Sequence, residues 1–221
     1  MSLRPRQFDL IVFDWDGTLF DSTALIVRCI QAACADLGLP VPGEREAAYV
    51  IGLGLHDALQ RVAPGLPVQR YAELGQRYRH HYFAQQHELV LFEGSLAMLH
   101  ALKRRHHWLA VATGKSRRGL DEALRHAQLQ GVFDGTRTAD ETASKPHPRM
   151  LLELMREFGV EPERTLMIGD TVHDMQLAAN AGAVGVAVTY GAHDAAALRE
   201  WSPRFVADSV GELHHWLEAH A

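Results

Sequence analysis

Long hydrophobic runs are missing from this 221-residue chain. Stretches such as Leu10-Ile11-Val12-Phe13 are far too short to span a bilayer, or to form the apolar core of a signal peptide despite Arg4 and Arg6 ahead of it. Cysteine is scarce. Cys29 and Cys34 stand five apart in one apolar helical pattern, which matches no zinc pair and staples little. A basic excess is absent too: 22 Lys and Arg against 27 Asp and Glu leave a net charge of −5, no footprint for nucleic acid. Low-complexity segments, internal repeats and like-charge blocks do not occur. These absences argue against membrane, disulfide-scaffold and nucleic-acid-binding classes and predict a cytoplasmic, globular protein. What is present, 47% apolar and 22% charged residues, suffices for one sizeable core and a smaller second one.

Phe8 to Phe13 is a short apolar run ending in Asp14-Trp15-Asp16-Gly17, which reads as a buried strand followed by a sharp turn. Similar runs recur at Trp108–Ala112, Thr165–Ile168 and Val184–Val188, with a weaker one around Val132-Phe133. Between them lie helical spacings, such as Leu151, Leu154, Met155 and Phe158, and the closing Val210, Leu213 and Leu217. Strands alternating with helices predict an α/β fold: a doubly wound, Rossmann-like parallel sheet with helices on both faces. One stretch breaks the alternation. From Asp21 to about Leu89 only helical stripes occur, Leu25-Cys29-Ala33-Leu37 and Tyr71-Leu74-Tyr78-Tyr82. A strand-to-strand crossover needs only about 30 residues, yet Asp14 and Thr113 lie 99 positions apart. The surplus predicts a small all-helical domain, residues 21–89, inserted after the first strand of a core made of residues 1–20 and 90–221.

The polar residues at the strand ends carry the chemistry. Two carboxylates in Asp14-Trp15-Asp16 can reach one crevice if the chain turns between them, and Gly17 permits the turn. A bare Asp-x-Asp is usually just a polar turn; with Gly17-Thr18-Leu19 attached, chance occurrence falls to about one start in 10⁶. Thr113-Gly114, Lys145-Pro146 and Gly169-Asp170-x-x-x-Asp174 close or follow other strands. In open parallel sheets ligands bind beyond the carboxyl ends of the strands, so the four clusters converge. Each has a plainer reading alone: Thr113 as a helix cap, Thr171 with Asp174 as a capping box, Lys145 as a solvated lysine. The chain uses only three lysines against nineteen arginines, which hints that a compact point charge is wanted where Lys stands. Together, Asp14, Asp16 and Asp170, with Asp174 behind, make an oxygen-rich site for a hard cation such as Mg²⁺, and Lys145 and the Thr113 hydroxyl, helped by loop and helix-start backbone N–H groups, an oxyanion site.

Other motifs fail on context. Gly114-Lys115-Ser116 imitates the end of a P-loop, but the first glycine falls on Leu109 inside a strand. Gly52-x-Gly54-x-x-Asp57 lacks the third glycine of a dinucleotide fingerprint. The His pairs at 80/81, 106/107 and 214/215 point to different helix faces. His147 and His173 adjoin the motifs and are candidates for the site entrance.

The four ordered motifs, Asp14-Trp15-Asp16-Gly17-Thr18-Leu19, Thr113, Lys145 and Gly169-Asp170-x-x-x-Asp174, resemble those of the haloacid dehalogenase superfamily over essentially the whole chain. With Ala178-Ala179, Ala181-Gly182 and Thr189-Tyr190-Gly191 following, the sequence is most similar to the phosphoglycolate phosphatase branch. The resemblance implies a helical cap, with Asp14 as nucleophile and Mg²⁺ ligand and Asp16 as general acid/base offering its main-chain carbonyl to the metal. Thr113 and the Gly114 amide would bind phosphate, Lys145 would neutralise nucleophile and phosphate, and Asp170 and Asp174 would hold Mg²⁺, the latter directly or through water. True dehalogenases of the superfamily lack a carboxylate at the position of Asp16, so the implied activity is a Mg²⁺-dependent phosphatase working through an aspartyl-phosphate. The implied partner is a small phosphorylated metabolite, 2-phosphoglycolate first. Alternatives with the same core residues are a pyrophosphatase, a sugar-phosphate or nucleotide phosphatase, and a β-phosphoglucomutase-like mutase. A non-catalytic phosphate-binding module would be a different class, but it would be expected to have lost Asp14 or Asp16. Trp15 departs from the smaller aliphatic residue usual there, and its side chain is expected to point away from the chemistry. The cap stretch Ile51-Gly52-Leu53-Gly54-Leu55-His56 falls where such caps place a substrate-contacting loop, though it could equally be a simple helix joint.

Overall fold

The structure is a computed structural model and describes residues 6–221; Arg4 and the first residues of the expected core segment lie outside them. β1 (Leu10–Phe13) is followed by α1 (Thr23–Asp36), α2 (Glu44–Tyr49), α3 (Leu55–Val62), α4 (Tyr71–Gln85) and α5 (Ser95–Arg104) before the chain returns as β2 (Trp108–Thr113). Alternation then sets in: α6 (Arg117–His126), β3 (Gly135–Thr138), α7 (Arg149–Phe158), β4 (Thr165–Gly169), α8 (Val172–Ala181), β5 (Val184–Val188), α9 (Ala195–Arg199), β6 (Phe205–Ala207) and α10 (Val210–His220). The strands form one parallel sheet in the order β3-β2-β1-β4-β5-β6.

Side-chain alternation along the strands explains the layers. Leu10 and Val12, with Ala110, Ala112 and Met167, pack on Leu151 and Leu154 of α7 and Leu177 of α8. Ile11 and Phe13, with Leu109, Val111 and Ile168, join a second cluster containing Met98 and Leu99 of α5 and Leu213 of α10. Both faces are therefore covered, as an all-parallel sheet requires. Register fixes the working edge: Phe13 stands level with Val111 on one side and Ile168 on the other. The residues that follow leave the sheet on one side, at the point where the strand order reverses between β1 and β4.

Among the described residues no strand is assigned between β1 and β2. Ala33 and Cys34 of α1, Leu59 of α3, and Tyr71 and Leu74 of α4 share a small core of their own. Both cysteines are free and buried, and burial pushes the Cys29 thiol up to about 11, so it is an inert packing group.

Two edge strands differ from the hydrophobic pattern. The strand expected around Val132-Phe133 is Gly135–Thr138 instead, the two apolar residues lying in the turn before it. Its sequence, Gly-Thr-Arg-Thr, is half-buried at the sheet edge, where no continuous apolar run is needed. β6 has three residues at the opposite edge and leaves too short a signal to read. No helix among the described residues is long and apolar enough to cross a membrane.

Candidate active site

Asp14 follows the last residue of β1, and its backbone N–H continues the ladder by donating to the Ile168 carbonyl at 2.9 Å. Its Oδ1 accepts from the Trp15 N–H at 2.7 Å and lies 2.7 Å from Lys145 Nζ. Lys145 Nζ is also 2.7 Å from Asp174 Oδ1, so one buried ammonium bridges two buried carboxylates. The other Asp174 oxygen accepts from the Thr171 N–H (3.0 Å) and hydroxyl (2.7 Å), closing the capping box that starts α8. The plain reading of that pair is therefore true, and it also orients Asp174. Asp170 accepts from the Thr18 hydroxyl on one oxygen and from the Ala192 N–H on the other, both at 2.7 Å.

One carboxylate oxygen from each of Asp14, Asp170 and Asp174 lies within 4.8 Å of the others. Three buried carboxylates against one ammonium leave a deficit of two positive charges. The titration behaviour records it. Burial, reinforced by Asp174 and Asp170 against the pull of Lys145, pushes Asp14 well above the usual carboxylate range. Burial and Asp174 push Asp170 up to about 7. Burial works against the charge on Lys145, but Asp14 and Asp174 outweigh it and raise its pKa. Asp14 Oδ2 is buried without a hydrogen-bond partner. An orphaned carboxylate oxygen, an all-oxygen donor set and a twofold negative excess fit a hard divalent cation.

Asp16 is placed apart from this cluster. Its Oδ1 accepts from the Ser22 hydroxyl at 2.6 Å and lies 3.0 Å from Lys115 Nζ, which also donates to the Tyr82 hydroxyl at 2.9 Å. Gly17, between the two Asp side chains and Thr18, has φ +79, and a Cβ there would strike the Asp170 carboxyl and sit 2.9 Å from Thr23. Only glycine turns the chain this tightly against the cluster. Trp15 is fully buried among Phe20 and Phe133, at centroid distances of 5.3 and 6.3 Å, and packs into the apolar core.

Thr113 ends β2, fully buried, its hydroxyl accepting from the Lys115 N–H at 3.2 Å. Gly114 lies directly beneath the loop between α2 and α3: a Cβ on it would collide with the Leu53 carbonyl and come within 2.7 Å of that of Gly52. The same loop is tied to the core by the Gly54 N–H, which donates to Ser144 Oγ at 2.8 Å. The helical layer is thus closed down on the strand-end edge. Between them is a cavity of about 510 Å³, lined on the core side by Asp16, Gly114, Lys115 and Ser144 and on the other by the 50–58 segment and α4.

The two histidines expected at the entrance part company. His173 is buried, with Nε2 at 2.9 Å from the Tyr49 carbonyl and its pKa lowered by burial to about 4, because α8 turns it under the end of α2. His147 is exposed and lines a smaller recess with Lys145 and Asn180. Lys115, Ser22 and Tyr82 were not singled out by the sequence. Lys115 stood inside the rejected P-loop lookalike, yet the scarcity of lysine that marks Lys145 marks it equally.

Residues 11–188 match the family described as haloacid dehalogenase-like hydrolase. The chain is 34% identical over 210 residues to a protein of Dickeya dadantii named probable phosphatase IndB, covering 92% of this chain and 91% of that one. It is 30% identical over 217 residues to a phosphoglycolate phosphatase of Aliivibrio fischeri, with 94% and 96% covered. A crystal structure of a predicted phosphoglycolate phosphatase from Haemophilus somnus superposes with a TM-score of 0.85 at 26% identity, covering 96% of this chain and 99% of that one.

Proposed function

The chain belongs to the haloacid dehalogenase-like hydrolases, and from that premise we propose that it is a Mg²⁺-dependent phosphomonoesterase working through an aspartyl-phosphate on Asp14. On this reading residues 21–89 act as a cap over a core of residues 1–20 and 90–221, and the enzyme acts in the cytoplasm on a small phosphorylated metabolite. One observation carries it: Asp14 presents an unpartnered, buried Oδ2 while Lys145 clamps its Oδ1, beside Asp170 and Asp174.

Asp14, Asp170 and Asp174, with the main-chain carbonyl of Asp16, would hold Mg²⁺, which when bound neutralises the carboxylates and the phosphate oxygens that otherwise repel them. Thr113, the Gly114 amide and Lys145 bind the phosphoryl oxygens and orient phosphorus toward Asp14. A carboxylate oxygen of Asp14 forms the bond to phosphorus as the ester P–O bond breaks, and Asp16 gives a proton to the departing alkoxide. Asp16, now ionised, takes a proton from water, whose oxygen attacks the phosphorus of the acyl phosphate; phosphate leaves and Asp14 is restored. Lys115 and Ser22 hold Asp16 in place between the two proton transfers. The cap excludes bulk water meanwhile.

The test is phosphate release with and without Mg²⁺ from p-nitrophenyl phosphate, 2-phosphoglycolate, pyrophosphate and sugar phosphates, for wild type and Asp14→Asn. Mg²⁺-dependent release is expected, with none from Asp14→Asn, which keeps its fold because the change removes one of the crowded buried charges. A variant turning over at near wild-type rate would remove Asp14 as nucleophile. Isomer exchange with little phosphate release would favour a mutase.

A further inference from the structure

The cavity reaches Asp16, the residue that must protonate the leaving group, so its walls describe the alcohol rather than the phosphate. Resting on the phosphomonoesterase reading, we propose that this alcohol is bulky and largely apolar, either aromatic or a long alkyl chain, rather than a small anionic one such as glycolate.

The walls divide by depth. Ile26, Ile30, Val50 and Ile51 are buried, and the rings of Tyr78 and Phe83 are half-buried beside them. The ionic side chains His56, Asp57, Arg79 and Asp140 are exposed and form a rim. Inside, the only cation among the described lining residues is Lys115, and it is committed: Asp16 lies 3.0 Å from its Nζ and the Tyr82 hydroxyl 2.9 Å. A substrate carboxylate placed at this depth would lose its water and find the one buried cation already paired, an expensive combination. An apolar group would instead exchange water for aliphatic and aromatic contacts. A volume of about 510 Å³ is in the range that encloses drug-sized ligands, far larger than a two-carbon acid needs.

The experiment measures kcat/KM with Mg²⁺ for ethyl, butyl, hexyl and 2-phenylethyl phosphate, whose alcohols are all poor leaving groups, alongside 2-phosphoglycolate and p-nitrophenyl phosphate. The expected result is a rise of about threefold or more per added methylene, with hexyl and 2-phenylethyl phosphate well ahead of 2-phosphoglycolate. Phe83→Ala should lower the 2-phenylethyl ester by about tenfold and the ethyl ester far less. A flat alkyl series, or 2-phosphoglycolate ahead of all others with the preference abolished by Arg79→Ala, overturns the inference while leaving a phosphomonoesterase. No release from any ester, p-nitrophenyl phosphate included, overturns the phosphomonoesterase reading itself.

Discussion

Asp16 Oδ1 lies 3.0 Å from Lys115 Nζ, and on the phosphomonoesterase reading this is the place where a proton has to move. The pair keeps a carboxylate fixed against the cavity; the Ser22 hydroxyl adds a second constraint on the same oxygen. Removing the carboxylate should therefore hurt only where the leaving oxygen needs a proton. Asp16→Ala is expected to slow alkyl ester cleavage by about 10²–10⁴ and p-nitrophenyl phosphate far less, since that phenolate leaves unaided. Equal losses on both, measured as kcat/KM, would deny Asp16 the acid role. The residues of this site are legible in proportion to their closeness to a strand end. Asp14, Thr113 and Asp170 follow or finish apolar runs, so topology alone gathers them. Lys115 is masked in the sequence because its immediate neighbours imitate a different motif. Ser22 and Tyr82 act through the closure of the helical layer, which no local spacing encodes.

Sheet elements were legible where they are buried on both faces. β1, β2, β4 and β5 each show a continuous apolar run; β3 and β6 lie at the edges and do not. The loop between α2 and α3 left two readings open in the sequence, a helix joint or a contact with the site, and its two glycines have separate uses. Gly52 takes φ +90, and the Gly54 N–H ties the loop to Ser144. The tightest constraint comes from the opposite wall, where Gly114 admits the Leu53 carbonyl only because it has no side chain. Gly114→Ala should therefore act as an overpacked contact between backbone and Cβ, with no flexible side chain to yield. We expect a loss of about 1–3 kcal/mol in unfolding free energy, together with a fall in kcat/KM as the loop is lifted from the strand end. Denaturant unfolding and turnover of one ester measure the two effects. A variant as stable and active as wild type would mean that the loop does not need to lie this close.

At the scale of the whole molecule, the fold carries a buried charge imbalance at the switch point of its sheet, and stability is coupled to whatever corrects it. In the folded chain Asp170 titrates near 7, above its ordinary 3.8, so folding favours its protonated form. That contribution is present in full below about pH 4 and is lost as pH rises through 7. His107 and His173, each lowered to about 4 by burial, pull the other way: their cost to the fold is full below about pH 4 and is lifted as pH rises through their ordinary 6.5. A bare pH profile of stability would blur these opposing slopes, but the increment given by Mg²⁺ separates them. A cation held at this cluster would compete with the proton for the same carboxylates, whereas His107 lies elsewhere, against the Phe8 carbonyl. At 100 times its dissociation constant Mg²⁺ should stabilise by about 2.7 kcal/mol at pH 8. At pH 6 the proton on Asp170 costs about tenfold in affinity, cutting the increment by about 1.4 kcal/mol. For a chain of this size that means a Mg²⁺-induced rise in Tm of about 5–10 °C at pH 8 and roughly half as much at pH 6. Asp170→Asn should lose most of that rise, and in EDTA at pH 8 it should melt above wild type, because it removes a charge the fold cannot neutralise alone. Thermal scans of both proteins at the two pH values, with Mg²⁺ or EDTA, decide it. A Mg²⁺ increment that is equal at both pH values, or that survives in Asp170→Asn, would place the cation somewhere other than beside Asp14, Asp170 and Asp174.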